Sequence, residues 1–223
     1  MSGTPARTRQ RPPTAPEFVL GELRRMIAVG ELVPGQPLRQ DTLAEHLGVS
    51  RVPLREALNT LESEGQLEYE PHRGYRVARL SLSDLLEVYR IRELLETEAV
   101  RASVHRADDA VLAELTAAEV EVEAASAAGD LLAMTGANRR FHFVLIAAAG
   151  MPRLERILRT LWDSTETYRF VYYGDESNRN RVAHEHAAIV QAFSDRDADR
   201  LIRLLDEHRG HAAEALERLL RAP

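Results

Sequence analysis

Three histidines, His142, His186 and His208, each occur among apolar residues at helical spacing. His142 is followed by Phe143, Leu145 and Ile146, and His186 by Ile189, Val190 and Phe193. His208 follows Leu201, Leu204 and Leu205 in the same phase. Asn138 precedes His142 by four residues, so both side chains leave one face of a helix, a turn apart. Neutral imidazole is the commonest metal ligand, and three imidazoles with an oxygen donor suit zinc or a similar divalent ion. The alternative is three separate core histidines, each satisfied by its own hydrogen bond. Glu185 is the acidic neighbour of His186 in sequence, but its helical phase turns it away. His46, His72 and His105 lack apolar company and read as surface residues.

A second group of residues is cationic. In RVPLREALNTLESEG, Leu54, Ala57, Leu58 and Leu61 recur at core spacing, which leaves Arg51, Arg55 and Asn59 on another face. Arginine can hold a guanine edge bidentately or grip phosphate, and a helix of this size fits the major groove. The competing reading is a solvated arginine face, and the glutamates at 56, 62, 64, 68 and 70 temper the case for DNA.

Two regions of different pattern must position these groups. From residue 17 to 79 the sequence predicts short helices, then two strands. FVLGELRRMIAVG suits a helix with Phe18, Leu20, Leu23, Ile27 and Val29 mostly on one side. DTLAEHLG predicts a second helix, and Ser50 is placed to cap the third, with Pro53 tolerated near its start. QLEYE and YRVARL alternate about PHRG, a hairpin with a basic tip. Residues 80–223 predict six helices and no strand, starting at a Ser81–Asp84 capping box. The later helices are expected near 107–128, 130–149, 153–172, 176–193 and 195–220, packed as an antiparallel bundle. The fold class is therefore mainly α: a winged helix-turn-helix followed by an all-α bundle. Residues 1–16, with three arginines and four prolines, read as a disordered basic arm.

Bulk properties narrow the function classes. Apolar residues are 44% and charged residues 29% of 223, as in a soluble globular protein. No apolar run is long enough to span a bilayer and no secretory signal is evident, so a cytoplasmic protein with no membrane partner is expected. Cysteine is absent, which excludes disulfides and thiolate metal sites, and all 29 basic residues are arginine. The net charge of −6 does not exclude a local basic surface, because screening confines each field to about 8–10 Å.

The segment LRQDTLAEHLGVSRVPLREALNTLESEGQLEYEPHRGYRV resembles the winged helix-turn-helix of the GntR family of bacterial transcription regulators. The resemblance rests on G-x-L-x-P-G at 30–35, LA-x-x-LGVSR-x-P-x-REAL at 43–58, L-x-x-EG at 61–65 and P-x-RG-x-x-V at 71–77. It implies that Ser50, Arg51 and Arg55 meet the major groove or its flanking phosphates. Arg73 and Gly74 would lie at a wing tip over the minor groove, and Arg39 is a weaker candidate for a phosphate contact. The bundle is similar to the FCD effector domain of the FadR-type subgroup, through R-x-x-L-E at 92–96, FH at 141–142 and EH-x-x-I-x-x-A-F at 185–193.

In metal-binding members an aspartate stands four residues before the first of three histidines. Here His142, His186 and His208 match and Asn138 departs. The likeness implies a divalent metal, zinc or else nickel or manganese. The missing carboxylate implies weaker binding, or a site completed by a bound carboxylate. The family likeness also implies a small organic acid as effector, held by Arg92 with Tyr89 lining the pocket and Arg139 and Arg181 as lesser candidates. A helical pair with Glu96 is the plainer account of Arg92. The expectation is a homodimeric regulator, a repressor by the family's commoner mode, that binds palindromic operator DNA under effector control. The rivals are a metal-dependent enzyme using the histidines and a regulator with a purely structural metal.

Overall fold

The computed structural model describes residues 14–79 and 81–221. Residues 1–13, most of the expected arm, lie outside the described residues. Residues 14–16 do not belong to an arm: Thr14 caps the first helix in a capping box with Glu17. Two strongly cooperating signals, the box and Pro16 in the first turn, start this helix earlier than its apolar stripe suggests.

The head comprises α1 (Ala15–Ala28), α2 (Gln40–Leu47), α3 (Arg51–Ser63), β1 (Leu67–Glu70) and β2 (Gly74–Val77). Its core joins Val19, Leu23 and Ile27 of α1 to Leu54, Leu58 and Leu61 of α3, closed by Leu67 and Val77 of the hairpin. Phe18 departs from expectation at 45% exposure, because Val19, Leu23, Met26 and Ile27 form the buried stripe instead. Gly48 ends α2 in the left-handed conformation, which makes the tight junction into α3 possible without strain. β1 and β2 pair antiparallel from Leu67↔Val77 to Glu70↔Gly74, the form of a wing.

The second region contains seven helices among the described residues: α4 (Leu82–Arg106), α5 (Asp109–Ala128), α6 (Leu131–Ala148), α7 (Pro152–Ser164), α8 (Glu166–Tyr173), α9 (Glu176–Ser194) and α10 (Ala198–Arg221). Ser81, Asp108, Asp130 and Asp175 cap α4, α5, α6 and α9 through their side chains. Such caps contribute about 1 kcal/mol each. The single helix expected over 153–172 is instead two, broken at Thr165. The Thr165 hydroxyl bonds back to the carbonyls of Leu161 and Trp162, and Arg169 donates to both Thr165 Oγ1 and the Trp162 carbonyl. These side-chain bonds replace the missing helical partners and turn the chain at that point.

Head and bundle meet where α1 packs near α8 and through a polar junction at Asp163. Arg24 of α1 holds Glu64 at 2.7 Å and lies 3.7 Å from Asp163 of α7. The buried Gln66 amide donates to the Asp163 carbonyl at 3.0 Å, while Arg139 of α6 grips the Asp163 carboxylate at 2.6 Å. The domain linker is pinned where Tyr168 Oη accepts from Ser81 N at 2.7 Å.

Candidate functional site

Arg39, Arg51 and Arg55 of the head lie close together. Arg51 and Arg55 line a concave surface with Gln40, Asn59 and Tyr69, between the start of α3 and the wing. Arg39 and Arg51 line an adjoining hollow. Arg51 is 76% exposed and pairs with Asp41, itself 74% exposed, so water screens that pair to little net energy. Ser50 is at the N-cap of α3, but its hydroxyl makes no capping bond. Asn59 is committed differently: its Oδ1 accepts from Tyr75 Oη in a short bond that ties α3 to the wing. At the wing tip Arg73 is exposed beside Glu70, and Gly74 adopts φ +81, which an L side chain would strain.

The bundle brings His142 of α6, His186 of α9 and His208 of α10 to one point. One nitrogen from each lies within 4.8 Å of the others, and all three residues are buried. His142 Nε2, both nitrogens of His186 and Asn138 Oδ1 lack hydrogen-bond partners among the described residues. Buried polar atoms are normally paired, so four such atoms in one place fit a bound cation. Burial holds His142 and His186 well below the usual imidazole range, with the His208 charge adding to the effect. Both are neutral near pH 7, the state that ligates a metal.

Glu185 corrects an expectation drawn from helical phase. Its carboxylate accepts from His208 Nδ1 and His211 Nδ1, both at 2.7 Å. Burial would raise the Glu185 carboxyl, but the bonds from His208 and then His211 prevail and lower it. An ionised acceptor on Nδ1 fixes the tautomer that leaves His208 Nε2 as the ligand-competent nitrogen. The phase of α9 gives only the direction in which Glu185 leaves its helix; α10 lies in that direction.

A cavity of about 30 Å³ adjoins the histidines and is lined by Asn138, His142, His208, Tyr89, Arg92 and Trp162, among others. Tyr89 and Arg92, expected at an effector pocket, are both among its lining residues. Arg92 is nonetheless paired: it donates to Glu96 at 2.9 Å, the plainer account of it, while Arg209 holds the other Glu96 oxygen at 2.7 Å. Trp162 Nε1 donates to Glu96 as well, at 2.8 Å. Burial would raise the Glu96 carboxyl, but the two arginines outweigh it and hold it at about 2. Arg139 and Arg181 do not line this cavity: Arg139 turns to Asp163, and Arg181 is exposed.

Arg169 and Arg209 were missed by the sequence reading and both line the cavity. A signal existed for Arg169, seven residues beyond Trp162 and three before Tyr172 on the same apolar stripe.

Residues 16–77 match the family described as bacterial regulatory proteins, gntR family, and residues 87–211 match the FCD domain. The chain belongs to the GntR family, with an FCD domain. Similar GntR-type proteins include the Nta operon transcriptional regulator of Aminobacter aminovorans, 35% identical over 169 residues, 74% of this chain and 77% of that one. The HTH-type transcriptional repressor GlaR of Escherichia coli is 26% identical over 194 residues, 83% of this chain and 88% of that one. The solved structure of E. coli McbR/YncC superposes with a TM-score of 0.82 at 26% identity, covering 94% of this chain and all of that one. This GntR member is thus a DNA-binding transcription regulator and not the metal-dependent enzyme that three histidines alone allowed. No helix among the described residues is long and apolar enough to cross a membrane.

Proposed function

We propose that the chain is a metabolite-responsive repressor of the cytoplasm that binds palindromic operator DNA as a homodimer. Its operator affinity is set by a small organic acid held beside a divalent metal, zinc by ligand type, in the helical bundle. The observation that carries this is the convergence of three buried histidines with four unpartnered polar atoms between them and Asn138. His142, His186 and His208, with Asn138, would hold the metal, and the metal would supply a Lewis-acid seat for a carboxylate. On the DNA side Ser50, Arg51 and Arg55 serve the major groove, Arg39 a phosphate, and Arg73 the minor groove, with Gly74 shaping the wing tip.

A route between the two sites is short. Trp162 lines the cavity, and the next residue, Asp163, is the one that Arg24 and Gln66 of the head contact. A ligand shifts the spacing of two heads only by binding one arrangement more tightly than the other, and this junction is where arrangements would differ. The Arg92–Glu96 pair favours a second reading, a structural metal without effector, because it leaves Arg92 no need of an outside anion.

The deciding experiment for the first site selects DNA from a random pool and measures its affinity by fluorescence anisotropy. Replacing Arg51 and Arg55 together by alanine weakens binding at least about 30-fold, from roughly 1–3 kcal/mol per base contact. The circular dichroism and melting temperature stay as in the wild type. Unchanged affinity refutes this docking face.

A further inference from the structure

The cavity beside the histidines contains three arginines and one glutamate. Arg92 and Arg209 share Glu96, and Arg209 has a second acid in Asp206 at 2.8 Å. Arg169 differs from both. It is 4% exposed, yet its acceptors among the described residues are neutral: Thr165 Oγ1 at 2.8 Å and the Trp162 carbonyl at 2.6 Å. Its Nε has no acceptor among the described residues, and no carboxylate there forms a salt bridge with it.

A buried guanidinium does not escape this by losing its proton near neutrality. The Trp162 carbonyl belongs to the last turn of α7, so the helix end offsets part of the charge. That offset is smaller than what a hydrogen-bonded counter-ion supplies to a buried ion. Burial, and then the Arg92 charge, disfavour the protonated state of Arg169, and the Glu166 carboxylate, which makes no salt bridge with it, offsets only part of this. Tyr172 repeats the pattern: it lines the same cavity, and its buried hydroxyl has no hydrogen-bond partner among the described residues.

Geometry relates these groups to the histidines. The Arg169 guanidinium carbon lies 4.5 Å from the Trp162 ring, and the His142 ring lies 4.8 Å from it. Three imidazoles and the Asn138 amide bring no negative charge of their own. A cation seated there would add to the positive charge of Arg169, and one carboxylate could answer both.

We propose that Arg169, with Tyr172 as a second donor, is the anchor for a small carboxylate in this cavity, in the place the sequence assigned to Arg92. The inference rests on the organic-acid reading above and names the residue that makes that site selective for anions. The cavity of about 30 Å³ has room for a carboxylate group with little attached, since one water occupies roughly 10–15 Å³ on such a measure. The ligand is therefore a short acid, and its neutral amide is rejected because an amide leaves the charge unanswered.

The test titrates the full-length chain, zinc-free and zinc-loaded, with acetate and oxalate, and with acetamide as the neutral shape control. Binding is read by calorimetry and by shift in melting temperature. Both acids bind the wild type and acetamide does not. Arg169→Gln weakens acid binding at least tenfold, and Arg169→Lys recovers part of it. Tyr172→Phe weakens it severalfold without lowering the unliganded melting temperature. Zinc affinity, read by chelator competition, is unchanged in these variants, and Arg181→Gln binds acids as the wild type does. Equal acid affinity in wild type and Arg169→Gln overturns the Arg169 assignment and leaves the organic-acid reading standing. Failure of both acids to bind the wild type overturns that reading as well. Should Arg169→Gln not fold, Tyr172→Phe decides together with the acetate and acetamide difference: equal binding of the two probes overturns the proposal.

Discussion

Head and bundle use arginine in opposite ways. Of the buried polar and charged residues described, Gln66 is the only one in the head, and it faces the bundle. The head arginines proposed to meet DNA, Arg51, Arg55 and Arg73, are exposed above a hydrophobic core. The bundle instead buries Arg92, Arg169 and Arg209 together with Glu96 and three histidines. A head that meets a polyanion from solution can leave its charges hydrated until the partner arrives. A bundle that recognises something small must desolvate its charges in advance and hold them in position. The same side chain is thus nearly neutral for folding in one region and strongly coupled to it in the other.

That contrast breaks most easily at Glu96. Glu96→Ala leaves the buried Arg92 guanidinium without its acid and Arg209 with Asp206 alone, and lowers unfolding stability by about 3–5 kcal/mol, whereas Arg51→Ala changes it by less than about 0.5 kcal/mol. Urea denaturation of both variants checks this, and equal losses would erase the distinction. Acid sharpens the same point. The folded Glu96 carboxyl sits near 2, below its unfolded value, so its contribution is complete above about pH 5 and disappears as pH falls toward 2. His142 and His186, held neutral in the fold, act in the same direction from about pH 6.5 downward, because the unfolded chain takes protons that the folded one refuses. Stability measured against pH therefore falls on the acid side, and Glu96→Gln flattens the part below pH 5.

Smaller effects follow at the edges of each region. Glu185→Gln keeps the shape but removes the ionised acceptor on His208, and zinc affinity drops about 10- to 100-fold; an unchanged chelator-competition curve would show that the orientation of His208 is set elsewhere. The smallest expected change is at the junction. Gln66→Ala removes the bond to the Asp163 carbonyl for about 1 kcal/mol. Its signature is a weakened response of operator affinity to ligand, with ligand affinity itself retained.

The head was legible because its signals are local. Gly48, Ser50, the α3 stripe and the PHRG turn each act within a few residues, in an order that admits one arrangement. Helical periodicity likewise revealed the bundle and the inward phase of His142, His186 and His208. It failed at Thr165, where a break made by side-chain hydrogen bonds leaves no mark in apolar spacing. Pair identities across helices were the hardest part. Phase tells where Glu185 leaves α9 but not that His208 and His211 wait on α10. The sequence offers the helical pair of Arg92 with Glu96 beside an outside anion, but it does not show Arg209 of α10 on the other Glu96 oxygen.

Thr165 also limits which exchanges the chain tolerates. Its hydroxyl donates back toward the end of α7 and at the same time receives Arg169. Valine matches threonine closely in shape, and a table of similar residues would count the exchange as mild. Here it would erase the corner's own hydrogen bond and one support of a buried cation in a single step. Size is the wrong measure of similarity at this position: the residue is read by its oxygen.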